Sequence, residues 1–163
     1  MFDALPDITQ PEMDFIESSF FQSGDSSRSL PTPAALLKEY SQRNTRVIKM
    51  EHLNMVVKIN HESKLRLEEL QAICAVRQAF PSGEIPVPEI FGWRKYCGQV
   101  FIYMSLVEGE SLHDAWSSLT PGDKTSLQIQ LRAIIESVKR LVLPNTMIGK
   151  SPPCTQGLLL TIT

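Results

Sequence analysis

The sequence predicts an α+β domain in which a helix packs against one face of a small antiparallel sheet. Two strand-like pairs, "TRVIKM" with "NMVVKIN" and "IFGWRK" with "VFIYMSLV", flank a segment of helical periodicity, "SKLRLEELQAICAVRQAF". The connection within each pair is short, which favours antiparallel strands, because parallel strands need a long crossover. Further helices are predicted before the first pair and after the second.

The elements around the sheet follow from turn formers and capping residues. Residues 1–30 contain prolines, a glycine and a serine-rich run, which predicts a poorly ordered N-terminal arm. A short helix is predicted at "TPAALLKEYSQRN", because Thr32 can cap it and Pro33 suits the first helical position. Ser63 is the candidate N-cap of the helix between the strand pairs. The prolines of "PSGEIPVPEIFGW" then favour an extended segment.

The last predicted helix, residues 121–142, has the clearest periodicity. Thr120 caps it, Pro121 occupies its first position, and its apolar residues recur at spacings of three and four. These apolar residues are Leu127, Leu131, Ile134, Ile135, Val138, Leu141 and Val142. If no other element covers them, part of this face is exposed and could bind a protein partner.

Length and composition limit the kinds of protein that this sequence can encode. The chain has 163 residues, of which 42% are apolar and 21% charged, which indicates one globular domain with a packed core. A net charge of −2 without a basic block argues against a nucleic-acid or anionic membrane partner. The N-terminus lacks a signal peptide and no apolar run approaches the length of a membrane span, so we expect a soluble, cytoplasmic protein. Three cysteines without CxxC spacing predict reduced thiols.

Lys58 interrupts the apolar run "LNMVVKIN". A strand lysine of this kind can extend its ammonium group into solvent, or it can reach a carboxylate on the packed helix. Glu68 and Glu69 lie near the start of that helix. A kinase-type nucleotide site uses such a pair to hold a lysine against phosphate oxygens.

Several segments together resemble a known family. The segments are "VVKIN", "LEELQAI", "IPVPEIFGW" and "VFIYMSLVEGESLHDAW". They resemble the N-terminal lobe of the aminoglycoside phosphotransferase family, in its fungal form, which shares the protein-kinase-like fold. The resemblance implies a kinase-like N-lobe at 31–107, then a hinge and the first one or two large-lobe helices at 108–150. Residues 151–163 do not resemble the family and form a divergent tail.

The resemblance also implies a nucleotide site with ATP and magnesium as cofactors. In that site Lys58 binds the α- and β-phosphates and Glu69 orients it, with Glu68 as the alternative partner. Backbone groups near Ser105, Leu106 and Val107 would contact the adenine. The family transfers a phosphoryl group from ATP to the hydroxyl of a small molecule, and the residues present do not identify that acceptor.

The family's catalytic segment has no counterpart in this sequence. That segment carries a His-Gly-Asp motif, and none of His52, His61 and His113 has an aspartate two positions later. No catalytic or metal-binding residue is therefore assigned, and the chain is expected to cover roughly the first half of such an enzyme and to lack turnover. The change after Lys150 suggests a retained intron, a frameshift or an early stop. The alternative function is a pseudoenzyme fragment or interaction module that binds a partner through the helix at 121–142.

Overall fold

The computed structural model describes residues 5–23, 28–40, 47–64 and 66–140. The chain divides into two compact units: Met1–Gln78 with Val87–Val107, and Ala79–Pro86 with Glu108–Thr163. Leu141 and Val142 of the predicted last helix and the divergent tail lie outside the described residues. Across the ranges described, no helix combines the length and apolar character that crossing a bilayer requires.

The first unit is an α+β arrangement around an antiparallel sheet, which confirms the predicted class. The strands are β1 (Glu12–Asp14), β2 (Val47–Met50), β3 (Met55–His61), β4 (Ile90–Tyr96) and β5 (Gln99–Ser105). Their order across the sheet is β1-β4-β5-β3-β2, and every neighbouring pair is antiparallel. The helices of this unit are α1 (Ser19–Gln22), α2 (Pro33–Tyr40) and α3 (Leu67–Ala79). Both predicted strand pairs are therefore present.

Short turns close the two strand pairs. A 3₁₀ turn at Glu51–Leu53 joins β2 to β3 and ends at Asn54, which has a φ of 50°. Cys97 and Gly98, with φ values of 50° and 71°, join β4 to β5. Two successive residues with positive φ are typical of a two-residue hairpin turn, because that geometry matches the twist of the strands. The short connection predicted within the second strand pair is confirmed.

The sheet carries a separate apolar cluster on each face, because side chains alternate along a strand. The first cluster contains Phe20, Leu30, Leu36, Ile48, Met50, Met55, Val57, Ile59, Phe91, Phe101 and Tyr103. The second cluster contains Leu67, Leu70, Ile90, Trp93, Val100 and Ile102. Leu67 and Leu70 belong to α3, so the second face is the one that α3 covers.

The N-terminal region differs from the poorly ordered arm that the sequence predicted. β1 pairs with the edge of β4, and the buried Phe20 ring stacks on Phe91 with centroids 5.3 Å apart. Composition suggested disorder because turn formers dominate, but the aromatic residues bury enough apolar surface to fix the backbone.

The start of α3 also differs from the prediction. The helix begins at Leu67, and the Ser63 hydroxyl lies 2.9 Å from Nδ1 of His61. The side chain of Ser63 therefore belongs to the turn after β3 and does not cap the helix. By contrast, Thr32 caps α2 as predicted, since its hydroxyl accepts a hydrogen bond from the Ala35 amide at 3.3 Å.

The second unit contains two helices, α4 (Leu112–Ala115) and α5 (Pro121–Lys139). Thr120 and Asp123 form a capping box at the start of α5, as the sequence predicted for the Thr120 cap. The hydrogen bonds from Thr120 hold the pKa of the Asp123 carboxyl below its ordinary value. No residue of α5 is buried, and the exposed fractions of Ile129, Ile135 and Val138 are 66%, 45% and 41%.

Candidate functional site

The strand lysine and the helix glutamate meet. Nζ of Lys58 lies 2.6 Å from Oε1 of Glu69 and donates a hydrogen bond to it. Alternation along β3 points Lys58 toward the α3 side, since Met55, Val57 and Ile59 are buried in the opposite cluster. Of the two glutamates that the sequence left open, Glu69 is the partner.

The ion pair is partly exposed. The side chains of Lys58 and Glu69 are 34% and 49% exposed, so solvent screens their attraction. Pairs of this kind contribute about 0.2–1 kcal/mol to stability. The pair therefore adds little to folding, and its main effect is to fix the position of the ammonium group.

Apolar residues flank Lys58 on this face of the sheet. Lys58 pairs across the sheet with Val47 and Ile102, and Val56 pairs with Met104 on the same face. Val56 and Met104 are half-buried and Val47 is exposed. An anchored cation next to accessible apolar surface suits a ligand that has a flat apolar part and an anionic part.

Lys49 adds a second cation to this face. It pairs with Val56 across the β2–β3 ladder, and its side chain is exposed. Sequence reasoning singled out Lys58 and missed Val47, Lys49, Val56 and Met104. The available signal was the two-residue period of the strands, which places all four on the face that Lys58 occupies.

Two of the predicted adenine-contacting amides are already used within the protein. The Ser105 N–H donates to the Glu89 carbonyl at 2.8 Å, and the Leu106 N–H donates to the Asn54 carbonyl at 3.0 Å. The Val107 N–H has no hydrogen-bond partner among the residues that the structure describes. Within the described part of the chain, Val107 is therefore the one of these three residues whose amide is available to a ligand.

Glu89, just before β4, connects this region to other elements. Its carboxylate accepts hydrogen bonds from the Ser19 amide, at 3.1 Å, and from the Ser19 hydroxyl. Its backbone N–H donates to the Ser105 hydroxyl at 2.9 Å. One carboxylate oxygen also lies 3.9 Å from a guanidinium nitrogen of Arg77 in α3. Sequence reasoning missed Glu89, because its partners are distant in the chain.

The described residues do not fit the magnesium ion that the resemblance implies. Magnesium prefers oxygen ligands, chiefly carboxylates, and no described group of three or more His, Cys, Asp or Glu side chains could hold a metal ion. The Cys74 thiol is a poor nucleophile as well. Burial raises the pKa of the Cys74 thiol to about 11, which keeps it protonated at neutral pH, and Cys97 is exposed.

Comparisons with known proteins add no assignment. A scan against protein-family models, a search of curated proteins and a search of solved structures each found no match to this chain. A functional interpretation therefore depends on the residues and on the geometry described above.

Proposed function

We propose that this chain is the nucleotide-binding lobe of a kinase-like phosphotransferase, similar to the aminoglycoside phosphotransferase family. The observation that carries the proposal is the ion pair between Lys58 and Glu69. In protein kinases a lysine on a central strand binds the nucleotide phosphates, and a glutamate on the following helix orients it. Here the lysine follows two valines on β3 and the glutamate lies in the first turn of α3.

The surroundings of the pair support the same proposal. The adenine ring would pack on the half-buried Val56 and Met104, and the free N–H of Val107 would donate to one of its nitrogens. The phosphates would extend toward Lys58, with Lys49 on the same face. This arrangement gives the base an apolar surface and the phosphates a fixed cation, which are the two parts of a nucleotide site.

The phosphotransferase to which this lobe would belong transfers the γ-phosphoryl group of ATP to the hydroxyl of a small molecule. Such transfer needs an acidic residue to orient the acceptor and oxygen ligands for magnesium. No group of metal-binding side chains is found among the described residues, and the sequence contains no His-Gly-Asp motif to supply the acid. The chain by itself would therefore bind nucleotide weakly and would not turn it over.

A nucleotide titration tests the proposal directly. Purified chain is titrated with a fluorescent ATP analogue, and unlabelled ATP is then used to displace it. Because a hydrogen bond to a charged group contributes about 1.5–3 kcal/mol, Lys58→Ala should weaken binding by roughly tenfold or more. Lys64→Ala is the matched control, since Lys64 is exposed in the turn after β3. Equal affinities for both variants, or no displaceable binding to the unmodified chain, would reject the proposal.

A second candidate function is protein interaction through α5. The exposed Ile135 and Val138 favour it, because they lie three residues apart on one face of the helix and large aliphatic side chains exposed together often mark a contact surface. In this case the purified chain should self-associate and bind an apolar dye. Ile135→Asp should reduce both effects, whereas Ser126→Asp at an exposed polar position of the same helix should not. A monomer that binds no dye would count against this function.

A further inference from the structure

Residues 5–23, here called the N-terminal strap, contact both faces of the sheet. Ile8, Met13 and Phe15 pack against the α3-side cluster, and Phe15 lies 6.0 Å from the Trp93 ring, centroid to centroid. After β1 the strap continues to Phe20, which is buried in the cluster on the opposite face. The strap therefore passes from one face to the other at the sheet edge that its own strand, β1, forms beside β4.

Side chains of α3 and β4 hold the strap on the α3 side. Nε2 of Gln71 donates to the Pro6 carbonyl at 2.9 Å, which is a direct contact between α3 and the strap. Nζ of Lys95 donates to the Ile8 carbonyl at 2.9 Å, and Nε1 of Trp93 donates to the Gln10 carbonyl at 3.3 Å. The path of the strap along α3 and β4 is thus fixed by hydrogen bonds as well as by packing.

Glu69 and Gln71 lie on opposite flanks of α3. Two residues along an α-helix correspond to a rotation of about 200°, so their side chains point to opposite sides of the axis. One flank is held by Lys58 and the other by the strap, while Leu67 and Leu70 face the sheet between them. A roll of the helix that moved Gln71 away from Pro6 would also move Glu69 relative to Lys58.

A second connection joins the strap to the far end of α3. The Glu89 carboxylate accepts a hydrogen bond from the Ser19 amide and lies 3.9 Å from Arg77, in the last part of the helix. The strap is therefore connected to α3 directly near its start and through Glu89 near its end. Two connections along one helix restrict both its roll and its tilt.

We propose that the strap positions Glu69, and that Gln71 and Ile8 are positioning residues for the Lys58–Glu69 pair. Release of the strap frees α3 to roll and leaves the ammonium group of Lys58 without its carboxylate. The strap thereby controls how well the site binds nucleotide phosphates. This inference rests on the proposed function, and it adds a segment remote in sequence that sets the geometry of the same site.

The test compares four variants of the full chain. Ile8→Ser removes a packing contact between the strap and the α3-side cluster, and Gln71→Ala removes the hydrogen bond between the strap and α3. Ile16→Ser is the matched control within the strap, since Ile16 is 68% exposed. Leu36→Val, at a buried residue of α2 outside the strap, lowers stability from the opposite face of the sheet and controls for general destabilisation. Two readouts are measured without nucleotide: amide hydrogen exchange across α3 and the rate at which Lys58 is acylated.

Ile8→Ser and Gln71→Ala should each speed exchange in α3 by roughly three- to tenfold, because each removes an interaction of ordinary strength. They should also raise the acylation rate of Lys58, since a side chain released from the helix is more accessible to the reagent. Ile16→Ser should change neither readout, and Leu36→Val should leave the acylation rate unchanged. If Ile8→Ser does not fold, Gln71→Ala alone decides the question.

The outcomes separate this inference from the proposed function. If α3 and Lys58 respond no more to Gln71→Ala than to Ile16→Ser, the strap does not position the pair. If they respond as expected, the positioning role stands, whatever the nucleotide titration gives. If the chain binds ATP and the two strap variants weaken that binding while Ile16→Ser does not, both proposals are supported.

Discussion

Nζ of Lys58 lies 2.6 Å from Oε1 of Glu69, which joins the middle of β3 to the first turn of α3. Lys58 reaches the helix because alternate residues of β3 face α3. Glu69 lies in the first turn of that helix. Since both side chains are partly exposed, their contribution to stability is small. The pair is therefore better suited to placing a cation than to holding the fold together.

A double-mutant cycle measures that contribution. Lys58→Met and Glu69→Gln keep the approximate size of each side chain while removing its charge. From urea unfolding of the unmodified chain, both single variants and the double variant, we expect a coupling free energy of about 0.2–1 kcal/mol. The control cycle replaces Glu69→Gln with Glu68→Gln, for which coupling to Lys58 should be close to zero. A larger coupling to Glu68 than to Glu69 would contradict the geometry.

The Cys74 thiol predicts a stability change at alkaline pH. Burial raises its pKa from 9.0 to about 11, so the folded state keeps a proton that the unfolded state releases. Stability is therefore unaffected by this thiol below pH 9.0, and the free energy of unfolding declines as the pH rises from there toward about 11. In urea unfolding across this range, Cys74→Ala should reduce the slope of stability against pH. Cys97→Ala, at an exposed thiol, is the comparison variant.

Local signals made much of the sheet predictable. The two strand pairs follow from β-branched and aromatic runs, and the turn at Cys97 and Gly98 follows from a two-residue hairpin geometry that favours glycine. The Thr120 cap of α5 was likewise visible in a few adjacent residues. Each of these features is decided within a short window of sequence.

The order of the N-terminal strap and the use of the Ser105 and Leu106 amides depend on residues remote in sequence, so composition could not predict them. The strap is ordered by contacts such as Phe20 on Phe91 and the Gln10 carbonyl on Trp93. The amides of Ser105 and Leu106 are occupied by the carbonyls of Glu89 and Asn54. The ion pair was more accessible to sequence reasoning, because strand alternation and the family resemblance both point to it.

The surroundings of Gly92 leave no room for the methyl group of an alanine. A Cβ there would contact the Met13 carbonyl oxygen too closely and would lie 2.8 Å from Cδ1 of Leu30. Gly92→Ala should displace β1 from β4 and lower stability by about 1–3 kcal/mol, as overpacked sites generally do. Gly122→Ala is the control with the opposite sign, since its Cβ would meet the nearest atom, Oγ1 of Thr120, at 3.7 Å. Thermal unfolding that ranked Gly92→Ala as equal to or more stable than Gly122→Ala would refute this account.

Tyr103 predicts a second change at alkaline pH, through a hydrogen bond to the segment after the strap. Its buried hydroxyl donates to the Pro31 carbonyl at 2.7 Å, and burial raises the pKa of the phenol above its ordinary 10.0. Tyr103→Phe should lower the free energy of unfolding at neutral pH by about 0.5–1.5 kcal/mol, because the carbonyl loses its donor.

The sign of the alkaline effect follows from the raised pKa. The unfolded chain releases the phenolic proton above pH 10.0 while the folded chain retains it, so stability falls as the pH rises beyond that point. Tyr103→Phe should remove this part of the decline, and Tyr96→Phe, at an exposed phenol beside the hairpin turn, is the comparison variant. Urea unfolding at neutral pH and above pH 10.0 measures both effects. If the two variants lost stability equally at neutral pH and retained the same alkaline slope, the hydroxyl of Tyr103 would not have the buried, bonded environment on which this prediction depends.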